Sequence, residues 1–199
     1  MKKWLIPVLI IVAIIVIGFF WSMKVKNGAI AENQNVAESW GNVNTSYQRR
    51  NDLIGNLVKT VSGAANFEKS TLVEVTEARS KANSVQVDPS NATPEQLAAF
   101  AKAQSELMGS VNKLIGNVTV ERYPDLKSNQ NFLKLQDELA STENTIQTAR
   151  NRYNETVKDY NNYVLKFPNS MFVGEYKEKP YFNAVEGADK PVDVEFNIK

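Results

Sequence analysis

The chain opens with an apolar stretch, residues 4–21, that contains no charged or strongly polar side chain. As an α-helix with a rise of about 1.5 Å per residue, the stretch would be roughly 27 Å long, close to the hydrocarbon thickness of a bilayer. Trp4 and Trp21 stand at its two ends, and indole rings favour the headgroup layers of a membrane. This pattern predicts one transmembrane helix that anchors the rest of the chain.

Beyond residue 27 the apolar residues recur alternately three and four positions apart, which is typical of amphipathic helices. Four helices are predicted, over residues 28–65, 66–84, 94–120 and 128–164. The stripe of the first comprises Val36, Trp40, Val43, Tyr47, Arg50, Ile54, Leu57 and Val61. In the third, Gln104 is the one polar member of the stripe. Each stripe therefore faces other protein.

Capping and turn residues separate the four helices. Asn66 can cap the second helix and Thr93 the third, because their side-chain oxygens can accept from the first free amides. Residues 123–125, Tyr-Pro-Asp, interrupt the helical pattern, and the polar residues 128–129 can begin the fourth helix. The Phe-Pro pair at 167–168 ends it.

The predicted fold class is all-α. Four amphipathic helices joined by short loops bury their stripes most economically as an antiparallel up-and-down four-helix bundle, here preceded by the transmembrane helix. The predicted organisation is a membrane anchor over residues 1–27, the bundle over 28–168 and an irregular tail over 169–199. We expect the tail to pack on the bundle, because it contains the aromatic residues Phe172, Tyr176, Tyr181, Phe182 and Phe196.

Composition removes several classes of function. The 23 Lys and Arg residues nearly balance 22 Asp and Glu residues, so no long-range field would attract nucleic acid. The chain has no cysteine and no histidine, which excludes disulfides, thiolate metal sites and the side chain most used for proton transfer near neutral pH. No segment has the ligand spacing of a calcium loop. We therefore predict no cofactor, no metal and no enzymatic activity.

The N-terminal stretch could also be a signal peptide, since residues 29–31, Ala-Ile-Ala, resemble a cleavage site. The apolar run is longer than a typical signal core, and it is followed by Lys24 and Lys26 before that site, so retention is favoured. Lys2, Lys3 and the amino terminus give a small excess of positive charge on the N-terminal side. The positive-inside rule then favours an extracytoplasmic domain, while the reversed orientation stays open.

Two arginines on or beside the apolar stripes are the candidate site residues. Arg50 and Arg79 would be costly to bury alone, so acidic partners are expected close by. They could form a recognition or switch site, or a buried ion-pair network that fixes helix register, and we favour the network. The candidate acidic partners are Asp52, Glu74, Glu77 and Glu143.

The tail aromatics offer a second candidate. Tyr176, Tyr181 and Phe182 either cover the bundle or stand out and bind lipid or a partner protein. Covering is the favoured interpretation, because a packed tail explains why so many aromatic residues occur without helical spacing.

A set of short segments forms a specific pattern along the chain: residues 38–43, 49–58, 75–79, 123–129, 132–133, 135–136, 138–139, 167–168 and 180–182. In these segments the chain resembles the LemA family of bacterial membrane-anchored proteins. The resemblance implies an N-terminal membrane helix followed by an up-and-down four-helix bundle, and a family without an established catalytic activity. The chain departs from the family pattern at Gly55, where a proline is usual.

The expected function is that of a single-pass inner-membrane scaffold or adaptor of the bacterial cell envelope. It would contact membrane lipid through its N-terminal helix and bind a protein partner whose identity the sequence does not give. Two alternatives stay open: a homo-oligomeric structural protein of the envelope, and an enzyme that uses carboxylates together with tyrosine or lysine. A concave pocket with several perturbed ionisable groups would favour the enzyme.

Overall fold

The computed structural model describes residues 4–64 and 67–183. All secondary structure in this described part is helical, which agrees with the predicted all-α class. Residues Asn66 and Phe196, to which the sequence assigned a cap and a packed aromatic ring, lie outside it. The α-helices are α1 (Leu5–Ser62), α2 (Lys69–Ser84), α3 (Pro94–Asn117), α4 (Pro124–Lys127) and α5 (Gln130–Leu165), and a 3₁₀ turn follows at Asn169–Met171.

The apolar segment and the first predicted helix form one continuous helix. The sequence placed a boundary near residue 28, but α1 passes through this point without a break. Its apolar segment, residues 5–21, is exposed on all sides, and this is the one described helix that is long and apolar enough to cross a membrane. At about 1.5 Å per residue, α1 is about 87 Å long.

Side-chain caps begin two of the helices, α3 and α5. The predicted cap at Thr93 is confirmed: its side chain accepts from the amide of Gln96, whose own side chain accepts in return from the Thr93 amide. Asn129 caps α5 by accepting from the amides of Asn131 and Phe132. The predicted end of the third helix, near residue 120, is about three residues too far, because α3 ends at Asn117. The short helix α4 was not predicted.

Helices α1 and α5 pack along each other in opposite directions. Near the start of the folded part, the Tyr163 hydroxyl donates to the carbonyl oxygen of Val25 over 3.2 Å. Further along α1, Arg50 reaches Glu143 of α5. Residue numbers therefore rise on one helix as they fall on the other.

Helices α2 and α3 form a second antiparallel pair. Lys81 pairs with Glu106, and Glu74 pairs with Lys113 nearer the opposite end of both helices. Both helices contact α1: the Asn51 side-chain amide donates to Asn83 of α2, and the ring centre of Phe100 of α3 lies 5.6 Å from that of Trp40.

The buried apolar residues form two cores stacked along α1. The first core contains Val25, Ala29, Val36, Trp40, Val43, Tyr47, Leu97, Phe100, Ala101, Ile146, Tyr153, Val157, Tyr160, Val164, Val173 and Phe182. The second core contains Leu53, Ile54, Leu57, Val61, Val75, Ala82, Ala103, Leu107, Val111, Leu114, Val118, Leu126, Phe132 and Leu139. Helix α2 contributes to the second core alone, and tail residues complete the first.

At Gly28 the Tyr163 side chain of α5 packs directly against the backbone of α1. A β-carbon built at this position would lie 2.0 Å from the Tyr163 hydroxyl oxygen. We expect Gly28→Ala to lower the free energy of unfolding by about 1 kcal/mol, because the cost of overpacking exceeds the gain in helix propensity. Chemical unfolding of the detergent-solubilised chain, followed by circular dichroism, measures this change.

Gly41 provides the matched control in the same helix. It is exposed, and a β-carbon there would meet no atom within 4 Å. Gly41→Ala should raise the free energy of unfolding by up to about 1 kcal/mol through helix propensity alone. Equal effects at the two glycines would show that the Tyr163 contact does not constrain position 28.

Candidate functional site

Arg50 lies in a polar layer between the two cores. Its side chain is buried, with the whole residue 2% exposed. One guanidinium nitrogen donates to the Glu143 carboxylate over 3.0 Å, and another donates to the side-chain oxygen of Gln104 and, over 3.4 Å, to its backbone oxygen. The structure thus brings together Arg50 and one of its four candidate partners. Gln104, which the sequence marked only as a polar interruption, completes the layer.

The charge pair in this layer is asymmetric. Glu143 is half-exposed, whereas the Arg50 guanidinium is removed from water. The guanidinium also lies 4.7 Å from the centre of the Tyr47 ring, within the range of a cation–π contact. Within the described residues, its Nε has no hydrogen-bond partner. A buried charge held this way costs solvation free energy, and its contacts join α1, α3 and α5.

Arg79 does not join the ion-pair layer. Its Nε donates to the backbone oxygen of Asn51 over 3.0 Å, and its guanidinium lies over Gly55. The absent side chain at Gly55 leaves room for this contact. Among the residues described, no carboxylate lies within ion-pair distance of Arg79.

The other candidate acidic residues are placed near the surface. Glu74 pairs with Lys113 over 2.6 Å, and both side chains are about half-exposed. Asp52 and Glu77 are exposed and form no ion pair within the described part of the chain. Surface pairs of this kind contribute little to stability, so the candidate network reduces to the Arg50 layer.

Two clefts flank the polar layer. One has a volume of about 510 Å³ and is lined largely by side-chain amides, including those of Asn44, Gln48, Asn51, Asn83 and Gln86. The other, of about 530 Å³, contains Arg50, Glu143, Arg150, Gln147 and Asn151. Both clefts combine hydrogen-bonding groups with aromatic side chains, and Tyr47 lines both of them.

Tyr47 is the titratable group that the two clefts share. Burial raises the pKa of Tyr47 above its usual value of 10.0, although Arg150 and Arg50 act in the opposite direction. Its phenol therefore stays protonated near neutral pH, and arginine side chains do not lose their protons in proteins. Both clefts thus present hydrogen-bonding groups beside a protonated phenol. No acidic cluster able to hold a metal ion occurs within residues 4–64 and 67–183.

A repeated asparagine on α5 holds the tail by its backbone. The Asn161 side chain accepts from the amide of Lys179 over 2.8 Å and donates to its carbonyl oxygen over 2.9 Å. One heptad earlier, Asn154 makes the same two bonds with Phe182, at 2.7 and 2.9 Å. Each asparagine thus binds the tail as a neighbouring strand would.

A tyrosine precedes each of these asparagines and binds the same tail. The Tyr160 hydroxyl donates to the carbonyl oxygen of Lys177 over 3.1 Å, and the Tyr153 hydroxyl to that of Pro180 over 3.4 Å. We call the two Tyr-Asn pairs, 153–154 and 160–161, the tail clamp.

The geometry of the tail clamp explains its seven-residue repeat. Seven residues of α-helix rise about 10.5 Å, and three residues of extended chain span about 10 Å. Successive clamp pairs therefore meet tail residues that are three positions apart. The sequence contains this signal as a repeated Tyr-Asn pair, but the tail segment that the pairs bind has no regular secondary structure and no helical periodicity.

Lys179 extends the attachment to the loop between α2 and α3. It is buried, and its ammonium donates to the carbonyl oxygens of Pro89 and Ser90 at 2.7 and 3.2 Å. Burial lowers the pKa of Lys179, while the nearby carboxylate of Asp88 acts in the opposite direction. The tail thus connects α5 to the loop between α2 and α3.

The three tail aromatics have different surroundings. Phe182 is buried in the first core, where its ring stacks on Trp40, so it does not belong to an exposed interaction surface. The Arg150 guanidinium lies over the same ring, 4.2 Å from its centre. Tyr176 is half-buried against the same core, and Tyr181 is 41% exposed.

Alkaline pH should destabilise the protein through its buried tyrosines. Burial raises the pKa of Tyr153 from 10.0 to about 12. The folded state then holds this proton after the unfolded chain has lost it, so stability present below pH 10 falls between pH 10 and 12. We expect Tyr153→Phe to reduce the loss over this interval by roughly 2–3 kcal/mol.

Unfolding midpoints measured from pH 8 to 12 for both proteins test this expectation. The hydroxyl of Tyr153 makes one long hydrogen bond, so the variant should remain folded at pH 8. Parallel pH profiles for the two proteins would contradict a protonated, buried Tyr153.

Comparison with known proteins places the chain in a family. The sequence model of the LemA family matches residues 39–196. Protein LemA of Metamycoplasma hominis is 25% identical, over 77% of this chain and 67% of that protein. Magnetosome protein MamQ 2 of Paramagnetospirillum magneticum is 23% identical, over 92% of this chain and 74% of that protein.

A third relative gives the same picture. Magnetosome protein MamQ of Magnetospirillum gryphiswaldense is 24% identical, over 94% of this chain and 76% of that protein. None of these three names denotes an enzyme. Because the family match covers the folded part of the chain from Ser39 onward, the chain belongs to the LemA family.

Proposed function

We propose that the protein is a non-enzymatic, membrane-anchored scaffold or adaptor of the bacterial cell envelope. The observation that carries this proposal is the continuity of α1, whose first part, residues 5–21, is apolar and exposed and whose remainder is buried along one face from Val25 onward. A domain built on a membrane helix in this way is fixed at the membrane surface. Relatives that include a LemA protein and magnetosome proteins support a role at membranes.

We also propose an up-and-down four-helix bundle for α1, α2, α3 and α5. The antiparallel contacts between α1 and α5 and between α2 and α3 support it. The contact of Arg50 with Gln104 further links α1 to α3. In this arrangement the membrane lies at the end where α1 begins.

The proposed location is the inner membrane, with the domain on the extracytoplasmic side. Lys2, Lys3 and the amino terminus precede the span, and Lys24 and Lys26 follow it. The small excess of positive charge before the span supports an N-terminus in the cytoplasm. Protease treatment of spheroplasts tests this orientation, because an outward domain is cut without lysis and an inward one is protected.

Tyr181 is the proposed centre of the partner-binding surface. The tail clamp binds the backbone of its neighbours Pro180 and Phe182, and these hydrogen bonds fix the position of the backbone that carries the exposed Tyr181 ring. The adjacent residue Phe182, with Arg150 over its ring, lines the second cleft, so Tyr181 lies beside that cleft. Tyrosine and arginine beside an aromatic floor are the residue types enriched at protein interfaces.

Photo-crosslinking in intact cells tests the adaptor role. A photoreactive phenylalanine analogue replaces Tyr181, and a matched control carries it at Leu133, which has a similar exposure of 43%. A heterologous protein captured reproducibly at position 181 and not at 133 supports an adaptor.

The other outcomes distinguish the alternatives. Capture of a second copy of the chain at position 181 supports the homo-oligomeric structural protein instead. No adduct above that of the control contradicts a partner surface at Tyr181. Extraction of the membranes with alkaline carbonate tests the anchor separately, because an integral protein remains in the pellet.

A further inference from the structure

We propose that the turn after α5 inserts into the lipid headgroup layer beside α1 and forms a second membrane contact. The turn is defined by Leu165, Phe167 and Met171 and is called the apolar turn below. This inference rests on the proposed anchoring of α1 in a bilayer, and it adds the folded domain itself as a lipid-binding element. The occupant of the apolar turn is the membrane that contains α1.

The exposure of the apolar turn is the first observation. Leu165, Phe167 and Met171 are 54%, 80% and 70% exposed, although they are large and apolar. Single exposed apolar residues are common on protein surfaces. Three within seven consecutive residues, in a tight turn closed by the bond from the Ser170 amide to the Lys166 carbonyl oxygen, form a patch that calls for a partner.

The second observation is the level of this turn along α1. The Tyr163 hydroxyl contacts the carbonyl oxygen of Val25, and Lys26 lies 3.8 Å from Glu175. Val25 is four residues beyond Trp21, the end of the apolar span, which corresponds to about 6 Å along a helix. The headgroup layer is about 5–8 Å thick on each side of the hydrocarbon. Both ends of the turn are therefore attached at headgroup level.

The direction of α5 places the turn between these attachments and the hydrocarbon. Because α5 is antiparallel to α1, its last residues head toward Trp21. Along α5 the chain runs toward the membrane and passes the level of Val25 at Tyr163. After the turn it runs away from the membrane, and Glu175 lies beside Lys26 of α1. Leu165 continues the helix beyond Tyr163 and begins the turn. The apolar turn is thus the part of the domain nearest to the hydrocarbon layer.

The charges around the turn suit an anionic lipid surface. Lys166 within the turn and Lys24 on α1 are both exposed. A lysine beside inserted apolar residues can extend its ammonium to lipid phosphate while its stem stays in the apolar layer. Apolar insertion combined with basic residues is the pattern of interfacial membrane contacts.

Site-specific quenching in vesicles tests the proposal. The natural chain has no cysteine, so single cysteines can be introduced and labelled with an environment-sensitive fluorophore. The full chain carrying Met171→Cys is reconstituted into phosphatidylcholine and phosphatidylglycerol vesicles that contain two nitroxide lipids, one labelled near the headgroup and one labelled in the acyl chain, so that quenching reports both the headgroup layer and the bilayer centre. Val12→Cys, within the apolar span, reports anchoring. Val120→Cys, an exposed apolar residue beyond the end of α3, is the matched control.

The expected result is quenching at positions 12 and 171 and little at 120, with about twofold more quenching at 171 than at 120. Introducing Phe167→Asp beside Met171→Cys should reduce the quenching at 171, because a carboxylate opposes insertion. Circular dichroism of each variant shows whether it is folded, and exposed positions such as these should tolerate the change.

The remaining outcomes separate this inference from the proposed function. Quenching at 12 without quenching at 171 overturns the apolar turn as a lipid contact and leaves the anchor intact. A label at 171 that is shielded from aqueous iodide but not quenched by lipid also overturns it, because a protein would then cover the turn. No quenching at 12 removes the anchor itself, and the inference that rests on it fails as well.

Discussion

Trp40→Ala should lower the free energy of unfolding by about 3–5 kcal/mol, the range for removing a buried tryptophan. The indole is at the centre of the first core, with ring centres of Phe100 and Tyr153 at 5.6 and 5.4 Å and that of Phe182 at 6.3 Å. Alanine would leave a cavity that contacts α1, α3, α5 and the tail together. Denaturant unfolding in detergent, followed by circular dichroism, measures the change.

Val120→Ala is the control for the tryptophan variant. Val120 is exposed, so its truncation should change the free energy of unfolding by less than about 0.5 kcal/mol. A loss below about 1 kcal/mol for Trp40→Ala would show that the indole does not hold the first core together.

Glu143→Leu should have the second large effect, a loss of about 3 kcal/mol. The variant leaves the Arg50 guanidinium buried without its counter-ion, and breaking such a pair costs about 3–5 kcal/mol. We take the lower end because Glu143 is half-exposed, so water can approach the vacated position. The measurement is the same denaturant titration.

A double-mutant cycle then isolates the ion pair. Arg50→Met alone should cost roughly 1–3 kcal/mol, since it leaves the buried side-chain oxygen of Gln104 without its donor. Arg50→Met combined with Glu143→Leu should be nearer to the natural protein than Glu143→Leu alone, because the buried charge has gone. Additive losses in the double variant would mean that the two side chains do not interact.

The exposed pair of Glu74 with Lys113 is the matched control for this cycle. Its two side chains are about half-exposed and bridge two helices, as Arg50 and Glu143 do. Glu74→Leu should shift the unfolding midpoint much less than Glu143→Leu, because water screens the surface charges.

Helical periodicity and caps could be read from the sequence. Apolar residues at spacings of three and four identified the faces of the long helices, and the oxygen-bearing residues Thr93 and Asn129 marked two of their starts. The boundary predicted near residue 28 was wrong, because a glycine within a helix is a weak interruption and nothing else there stops α1. A change from an all-apolar pattern to a striped one signals a new environment, not a new helix.

The partners of the polar residues were harder to predict. Arg50 stood out as a charge within an apolar stripe, but four acidic residues were candidates, and the choice of Glu143 depends on how α1 and α5 align. Arg79 uses the carbonyl oxygen of Asn51 in place of a carboxylate, an arrangement made accessible by the missing side chain at Gly55. Backbone acceptors leave no trace in the sequence.

The tail was the least predictable part of the described chain. Phe182 belongs to the first core, but the short tail segment around it lacks the helical spacing that would show which ring points inward. The tail clamp residues Asn154 and Asn161 bind main-chain groups, which every residue has, so the tail sequence carries no matching signal.

In the proposed membrane-anchored arrangement, the unbroken course of α1 couples the tilt of its apolar segment to the position of the domain. Ser62, the last residue of the helix, is 41 positions beyond Trp21, or about 62 Å along the axis. A membrane that becomes thinner or thicker changes the tilt of a spanning helix. A change of about 10° would swing the far end of the domain sideways by about 11 Å, so bilayer thickness would be converted directly into the reach of the domain.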